Sequence, residues 1–149
     1  MIIRKATKKD LKDIAKLFLE YGEYENSLDK NVKIESFRKI ILTEKQHMKL
    51  GTEYFILEDN SEVLGVLNLN IDLRGREKIG VLHTLIITKK ARDRGYGKKI
   101  VKYAFKYFKK KGCKRVRTFI HIANKNAFGF WKKWGFQVEK GFSAIRELR

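Results

Sequence analysis

The 149-residue sequence contains no proline, one cysteine and no long run of apolar residues. Because proline is absent and no low-complexity segment interrupts the chain, no linker is visible, and we expect a single domain over residues 1–149. The lone Cys113 excludes an internal disulfide and suits a small buried side chain. No segment approaches the roughly 20 apolar residues of a membrane span, and no signal-peptide pattern follows the first residues. These absences favour a cytoplasmic protein with no membrane partner.

Acidic residues are outnumbered: 17 Asp and Glu stand against 35 Lys and Arg, which gives a formal net charge of +18. Such an excess is typical of proteins that bind anionic ligands, nucleic acid or anionic membranes, and also of a lysine-rich solvated surface. The sequence has no zinc-finger spacing and no aromatic motif of an RNA-recognition domain. A basic nucleic-acid- or ribosome-associated protein is therefore an alternative, but nucleic acid is not expected as the main partner.

Hydrophobic periodicity predicts an α/β (α+β) protein with the element order β-α-α-β-β-β-α-β-α-β-β. Thr7 and Asp10 have the spacing of an N-cap motif, and a helical apolar face begins at Leu11. The charged interval 72–78 is predicted to be a loop. The other predicted elements are strands over 2–5, 52–58, 63–71, 80–88 and 114–122, helices around 34–41, after 97 and over 126–134, and a hairpin over 136–148 that turns at Lys140 and Gly141.

The stretch from His83 to Gly97, HTLIITKKARDRGYG, is the centre of this pattern. Its apolar residues 85–87 predict a strand that is buried on both faces. Gly95 and Gly97 predict a sharp turn, after which the apolar period becomes helical. A glycine turn at a helix N-terminus presents free N–H groups and the positive end of the helix dipole, so we expect a phosphate site here.

The spacing Arg92-x-x-Gly95-x-Gly97 distinguishes this turn from two other phosphate-binding loops. The Rossmann pattern G-x-G-x-x-G is not met because position 100 is isoleucine, and the lysine and hydroxyl of a P-loop are absent. What remains is an arginine and two glycines directly after a buried strand and directly before a basic helix.

A second motif lies downstream, where Asn124-x-x-Ala127-x-x-Phe130-Trp131 precedes a Gly-Phe step. In this order the two motifs resemble those of the GNAT superfamily, the acetyl-CoA-dependent N-acetyltransferases. Together with the N-terminal pattern, the resemblance covers nearly the whole chain. It implies acetyl-CoA as co-substrate, and it implies no metal.

The resemblance also implies a GNAT-like mixed central sheet flanked by helices, whose strands 80–88 and 114–122 splay apart to admit the pantetheine arm. The main chain of residues 85–87 would bond the pantetheine, and a backbone N–H there would face the thioester oxygen. Asn124 would touch the pantetheine arm and also suits an N-cap. The full set of implied cofactor-binding residues is Leu85, Ile86, Ile87, Arg92, Arg94, Gly95, Tyr96, Gly97, Lys98, Asn124, Phe130 and Trp131.

Acetyl transfer to an alkyl ammonium, whose pKa is near 10.4, needs a base. His83 is the favoured catalytic residue because a reference pKa of about 6.5 suits a base near neutrality, and because the arylalkylamine branch of the family has a histidine at a matching offset. We expect its side chain to point to the same side as Leu85 and Ile87. A core histidine bonded to the backbone is an equal alternative, and His121 and Glu77 are the next candidates.

Trp131 is a departure from the family, which usually has a tyrosine there as general acid for the leaving thiolate. An indole N–H is not a usable proton donor. Tyr96, Tyr103 or solvent would then substitute, and a thiol pKa near 8.5 makes the thiolate a tolerable leaving group. Alternatively, Trp131 packs against the cofactor in a non-catalytic acyl-CoA-binding module.

Residues 20–29, EYGEYENSLD, invert the charge of the chain locally, since they are acidic and aromatic and contain no Lys or Arg. The resemblance places the connection between the first two helices beside the acceptor site. Glu23 and Glu25 would attract a cationic amine, and Tyr21 and Tyr24 would pack against it. An acidic helix end without a ligand is the plainer alternative.

These features predict an N-acetyltransferase that moves an acetyl group from acetyl-CoA to a primary amine. Direct attack on the thioester is expected, because no cysteine is well placed for a covalent intermediate. The acceptor is expected to be a small-molecule or peptide amine. A homodimer through the last strands is common in the family and is a further expectation.

Overall fold

The computed structural model describes residues 1–138 and 143–148. Its elements follow the predicted order β-α-α-β-β-β-α-β-α-β-β. Short 3₁₀ turns at Lys8–Asp10 and Lys89–Ala91 precede α1 and follow β4. The strands and helices are β1 (Ile2–Lys5), α1 (Leu11–Leu28), α2 (Phe37–Lys49), β2 (Glu53–Asp59), β3 (Glu62–Arg74), β4 (Glu77–Ile87), α3 (Tyr96–Lys110), β5 (Arg115–Phe119), α4 (Lys125–Lys133), β6 (Gln137–Val138) and β7 (Ser143–Glu147).

The seven strands of the described residues form one sheet in the order β1-β2-β3-β4-β5-β7-β6. Every neighbouring pair is antiparallel except β4 and β5, which run parallel because α3 crosses over between them. The predicted mixed sheet with flanking helices is therefore confirmed. The parallel pair lies at the centre of the sheet, which is where the glycine turn begins.

One face of the sheet packs against α3, whose apolar stripe is buried as the sequence predicts. Gly80 of β4 lies directly under this helix, and a Cβ there would come within 2.5 Å of the Phe108 ring. Cys113, at the end of the same cluster, is buried, and burial raises the pKa of its thiol. The fully or nearly fully buried residues of α3 are Ile100, Val101, Ala104, Phe105 and Phe108.

The opposite face packs against α1, where Ile14 and Leu17 meet Tyr54, Ile56 and Ile86 of the sheet. The predicted motif at Thr7 forms a complete capping box with Asp10, which caps the 3₁₀ turn that leads into this helix. The two helix layers thus approach the central strand β4 from opposite sides. Its residue 86 packs on the α1 face, and its residues 85 and 87 pack on the α3 face.

Three boundaries differ from the sequence prediction. The predicted loop at 72–78 is wrong, because β3 continues to Arg74 and pairs with β4 down to Glu77. Backbone pairing needs no apolar side chains, so a charged hairpin end gives no strand signal. Helix α2 begins at Phe37 with Ser36 as N-cap, which leaves residue 34 outside it, and β5 ends at Phe119. The predicted turn at Lys140 and Gly141 lies outside the described residues.

Among residues 1–138 and 143–148, no helix combines the length and apolar character needed to cross a bilayer.

Candidate active site

The central parallel strands separate part-way along their length. β4 and β5 pair from Ile79 only as far as Leu82 and Thr118, whereas β4 continues to Ile87. The Thr118 hydroxyl donates to the Leu82 carbonyl oxygen at 2.9 Å, so a side-chain bond closes the last paired step. Beyond it lies a cavity of about 610 Å³, lined by both sequence motifs. The main chain of the end of β4 therefore faces an opening instead of another strand.

The glycine turn forms one end of this cavity. Asp93 and Gly95 have positive φ values of 63° and 76°. Glycine adopts this left-handed region at no steric cost because it has no Cβ. α3 begins at Tyr96 directly after Gly95, an N-cap residue that makes no side-chain capping bond. The first-turn N–H groups therefore have no intrahelical acceptors and are available to an anion, with Arg92 and Lys98 beside them.

Helix α1 holds this turn against the end of β4. The Glu20 carboxylate accepts hydrogen bonds from the Thr88 hydroxyl at 2.9 Å and from the Lys89 N–H at 2.7 Å. The Arg92 Nε donates to the Ile87 carbonyl oxygen at 3.2 Å, and its guanidinium lies 5.7 Å from the Tyr24 ring centre. Part of the acidic segment thus positions the basic loop, a structural role that the sequence does not reveal.

His83 lies at a β-bulge. The register of β3 and β4 pairs Asn68 with Thr84 and Leu69 with Leu82, which leaves His83 as an extra residue on β4. A bulge breaks the alternation of side chains, and Leu82 and Leu85 accordingly pack on the same face of the sheet. The strand alternation that the sequence suggests therefore fails at this point.

The imidazole of His83 faces the α1 side of the sheet. Its Nε2 lies 2.8 Å from the Asn70 Oδ1, which also accepts from the Thr52 hydroxyl at 3.1 Å. The expectation that His83 shares the side of Leu85 and Ile87 is wrong, because these two pack on the α3 face. The amide oxygen of Asn70 can only accept, so Nε2 carries the proton and the lone pair is on Nδ1.

The His83 ring is open to the cavity and yet partly desolvated by its surroundings. Desolvation lowers the pKa of the His83 imidazole and outweighs the nearby carboxylate of Asp72, while His47 lowers it further. The imidazole is therefore neutral at pH 7. A neutral ring with a fixed tautomer can accept a proton at Nδ1.

Helix α4 forms the other wall of the cavity. Asn124 is buried and is the N-cap of α4, because its Oδ1 accepts from the Ala127 N–H at 3.1 Å. Trp131 is only 6% exposed and packs edge-on against Phe130 and Phe136, at ring-centre distances of 4.9 and 5.1 Å. Trp131 thus contributes an apolar wall to the cavity.

Two tyrosines of α1 reach the cavity, and their hydroxyls surround Asn124. The Tyr24 hydroxyl donates to the Asn124 Oδ1 at 3.5 Å. Burial, with Glu25 close by, raises the pKa of the Tyr21 phenol to about 12 in spite of its hydrogen bond to Asn124. In contrast, the Tyr96 hydroxyl donates to Asp59 at 2.8 Å, and Tyr103 packs against Phe55 away from the cavity.

A second cavity, of about 300 Å³, adjoins the first. Tyr21 and Thr84 line both, so the two meet at the bulge of β4. Its lining is mixed, with the carboxylates of Glu25, Glu35 and Glu44 and the ammonium groups of Lys33 and Lys39 beside apolar side chains. Burial raises the pKa of the Glu25 carboxyl, although His121 opposes this shift. The apolar lining residues are Phe18, Leu19, Val32, Ile34 and Ile40.

Glu44 is the buried member of this pair, with 6% of its surface exposed. Its carboxylate accepts a hydrogen bond from the Tyr54 hydroxyl and lies 3.5 Å from the His47 Nδ1. Burial and Glu44 together raise the pKa of the Tyr54 phenol. The neighbouring Asn68 is also buried, and among the described residues its Oδ1 has no hydrogen-bond partner. Of these polar residues, Glu44 lines the second cavity.

The chain matches the family model described as "Acetyltransferase (GNAT) family" over residues 11–136. This chain belongs to the GNAT family. This membership confirms the resemblance that the two motifs carry.

Curated relatives of this GNAT chain carry the same general description. It is 27% identical over 144 residues to the uncharacterized N-acetyltransferase MJ1207 of Methanocaldococcus jannaschii, covering 93% of this chain and 61% of the relative. It is 26% identical over 144 residues to the uncharacterized N-acetyltransferase YhfO of Bacillus subtilis, covering 95% and 93%. The chain thus spans less than two thirds of the first relative and nearly all of the second.

Solved structures show the same fold. The BH1408 protein of Bacillus halodurans, as a tetramutant, aligns with a TM-score of 0.84 at 19% identity, covering 95% of this chain and 96% of that one. The PaiA N-acetyltransferase of Thermoplasma acidophilum, solved in complex with coenzyme A, aligns with a TM-score of 0.79 at 21% identity, covering 98% of each chain.

In this GNAT chain, most of the sequence-predicted site residues lie around the first cavity, but not all. Arg94 and Glu23 line neither cavity, and Glu23 is on the exposed side of α1. Glu77 pairs with Arg115 at the far end of β4, and the His121 Nε2 lies 3.3 Å from Asp29. The predicted residues that share the first cavity are Tyr21, Tyr24, His83, Leu85, Ile86, Ile87, Arg92, Gly95, Tyr96, Gly97, Lys98, Asn124, Phe130 and Trp131.

The sequence analysis missed several residues of the site. Asn70 and Thr84 occupy ordinary polar positions along strands, but Asn70 contacts His83 and Thr84 lines both cavities beside the bulge. Glu44 lies in a helix with a mostly polar sequence, where a single carboxylate gives no sign of burial. The alternating Asn68 and Asn70 on an otherwise apolar strand were the one available signal.

Proposed function

We propose that this protein transfers the acetyl group of acetyl-CoA to a primary amine by direct attack on the thioester. The observation that carries the proposal is the first cavity, which joins an uncapped helix N-terminus to a neutral histidine across a gap between parallel strands. The second cavity shares Thr84, the residue after that histidine, with the first and would serve as the acceptor pocket.

The residues of the first cavity fit coenzyme A. A Cβ on Gly97 would lie 3.7 Å from Phe130, so local packing does not require glycine at this position. The absence of a Cβ would instead let the phosphates come close to the backbone of the turn. The N–H groups of the first turn of α3 would hold the pyrophosphate, with Arg92 and Lys98 adding charge. The main chain of residues 85–87 would pair with the pantetheine arm. The similar PaiA structure was solved in complex with coenzyme A, which supports a coenzyme A site in this fold.

Bound acetyl-CoA would supply an activated acetyl thioester at the bulge of β4. There the acceptor amine loses a proton to the Nδ1 of His83 as its nitrogen forms the new bond to the acetyl carbon. Asn70 keeps the proton of the free imidazole on Nε2, so the accepting atom stays Nδ1. The backbone N–H groups at the bulge would stabilise the negative charge that develops on the thioester oxygen.

The carbon–sulfur bond then breaks, and the departing thiolate takes up a proton. Trp131 cannot provide it, because indole is not a usable acid. We assign this role to Tyr24, whose hydroxyl lies beside Asn124 at the start of α4 and whose ring contacts Arg92. The phenolate is re-protonated by solvent. Tyr96, considered from sequence, has its hydroxyl bonded to Asp59.

The second cavity favours an amine acceptor with an apolar body. Its apolar side chains would cover the body, and the carboxylates of Glu25 and Glu44 would hold a cationic group. Of the two lysines that also line it, Lys39 is paired with Glu35 at 2.8 Å. An anionic acceptor would leave these carboxylates facing a like charge.

The alternative of a non-catalytic acyl-CoA-binding module rests on the buried Trp131. Release of coenzyme A thiol from acetyl-CoA in the presence of a panel of alkyl and aryl amines separates the two. Amine-dependent thiol release is expected, and His83→Ala should lower kcat/KM about 10²- to 10⁴-fold at pH 7. The loss should shrink as the pH approaches the pKa of the amine, where neutral amine is abundant. Binding of acetyl-CoA with no thiol release for any amine would contradict the transferase proposal.

A further inference from the structure

Nearly all of the excess of basic over acidic residues lies in one segment of the chain. Residues 89–138 contain 17 Lys and Arg and a single acidic residue, Asp93, whereas the other 99 residues contain 18 basic and 16 acidic residues. A lysine-rich solvated surface would spread its charge over all faces. The segment 89–138 instead supplies the glycine turn, α3, β5 and α4.

Helix α3 carries an exposed row of lysines along its outer side. Lys98, Lys102, Lys106 and Lys109 are spaced by four, four and three residues, which places them within one narrow strip of the helix. Lys102, Lys106 and Lys109 form no ion pair with any residue that the structure describes. We call these three residues the lysine row.

A groove of about 330 Å³ runs beside the lysine row, between α3 and β7. Arg146 lies on its far side with its guanidinium 4.5 Å from the Phe105 ring centre, so the cation is held in place. The described residues that line it are Lys102, Phe105, Lys106, Lys109, Arg146 and Leu148, none of which carries a side-chain carboxylate.

Coenzyme A does not account for these cations. Lys98 lines the first cavity, but no residue of the lysine row does. At a rise of 1.5 Å per residue, Lys109 lies about 16 Å along the helix from Lys98. The phosphates of coenzyme A are expected at the N-terminus of α3, so the far end of the row is free for another anion.

We propose that the lysine row and Arg146 bind the phosphate backbone of a nucleic acid without sequence specificity. A line of exposed point charges fits the regular charges of a phosphate backbone. A membrane surface fits less well, because the apolar residues of α3 are buried and none remains to insert into lipid. A protein partner also fits less well, since lysine is depleted at protein interfaces and α3 exposes no large apolar side chain.

The test is fluorescence anisotropy with a labelled 20-base-pair DNA duplex and a 20-nucleotide RNA, over 50–200 mM salt and in saturating acetyl-CoA. Four phosphate contacts predict a slope of log K against log salt near −3.6 for the duplex, which is about a 100-fold loss of affinity across this range. The Lys102→Gln, Lys106→Gln, Lys109→Gln triple variant should reduce the slope to about −1. It should keep its thermal shift with acetyl-CoA, which shows that it folds.

A charge-matched control is available on the opposite helix layer. Lys8→Gln, Lys9→Gln, Lys12→Gln removes three exposed lysines at the start of α1 and should leave the slope unchanged. Equal slopes for the two triple variants would overturn the proposal, because net charge alone would then explain the binding. Displacement of the nucleic acid by acetyl-CoA would also overturn it, since the phosphate turn would be the site. Binding to phosphatidylserine vesicles with no binding to DNA or RNA would do the same.

Discussion

Asn70→Asp tests the role of His83 most specifically. The substitution places a carboxylate where an amide oxygen lies 2.8 Å from the His83 Nε2. Asn70 is only half-buried, so the charge is tolerable in the fold. A carboxylate stabilises the imidazolium and raises the pKa of His83, which is below its usual value in the parent. Because the base must be neutral to accept a proton, activity on the acid side should fall.

The expected magnitude follows from Coulomb's law. Two unit charges about 4 Å apart interact by about 1 kcal/mol in water and about 4 kcal/mol at an effective dielectric constant of 20. At 1.36 kcal/mol per pKa unit this range is roughly 0.7–3 units. The His83 ring is open to solvent, which favours the lower end of the range. We therefore expect the acid limb of the kcat/KM profile to move to higher pH by about one unit. At pH values on this limb the variant should be about tenfold less active than the parent, and the alkaline plateau should be unchanged.

The assay is thiol release from acetyl-CoA between pH 5 and pH 9 with one amine at a fixed subsaturating concentration. Asn60→Asp is the control, because it adds the same charge at an exposed turn between β2 and β3. Equal shifts in the two variants would mean that the added charge acts through the overall field. No shift in Asn70→Asp, or an acid limb that persists in His83→Ala, would refute the assignment of His83 as the base.

Three further substitutions test other parts of the site and fold. Tyr24→Phe should lower kcat about 10²-fold and leave acetyl-CoA binding intact, because only the proton donor is lost; a lost thermal shift would instead make the hydroxyl a binding group. Glu25→Gln should raise KM for a cationic amine about tenfold, whereas Glu23→Gln, which is exposed, should not. Burial raises the pKa of the Glu25 carboxyl, so the ionised carboxylate lowers the free energy of unfolding at pH values above that pKa. Glu25→Gln should therefore not lower Tm at pH 7. Gly80→Ala should destabilise the protein by about 1–3 kcal/mol in urea unfolding, because its Cβ would overlap the Phe108 ring.

The parts of the fold that the sequence predicts are those with a local physical signal. The stripe Ile100, Val101, Ala104, Phe105 and Phe108 has helical spacing, and each of its members is buried. The glycine turn depends on a backbone conformation that few residue types adopt, and the N-cap at Asn124 depends on a side-chain acceptor that few residue types supply, so both are visible in one chain. The family and the order of elements along the chain follow from these signals together.

The rest depends on long-range pairing. The bulge at His83 exists because β3 and β4 pair with unequal numbers of residues, and neither strand alone contains that information. The second cavity arises where α1, α2 and β4 meet, so Glu25, Glu44 and Thr84 become neighbours only after the sheet is assembled. The cytoplasmic location and the homodimer stay predictions.

The central claim is that the turn before α3 holds the phosphates of acetyl-CoA, and Gly97→Ala tests it most directly. The structure has room for the added Cβ, whose nearest neighbour is Phe130 at 3.7 Å, and alanine favours a helix over glycine by about 1 kcal/mol. Saturating acetyl-CoA, at 100 times its Kd, should stabilise the parent by about 2.7 kcal/mol, or roughly 5–10 °C in Tm.

The matched control is Gly129→Ala in α4, where a Cβ meets no atom within 4 Å. The account predicts that both variants keep or raise the Tm without ligand, and that only Gly97→Ala loses the acetyl-CoA shift. An unchanged shift in Gly97→Ala, or no shift in the parent, would contradict it.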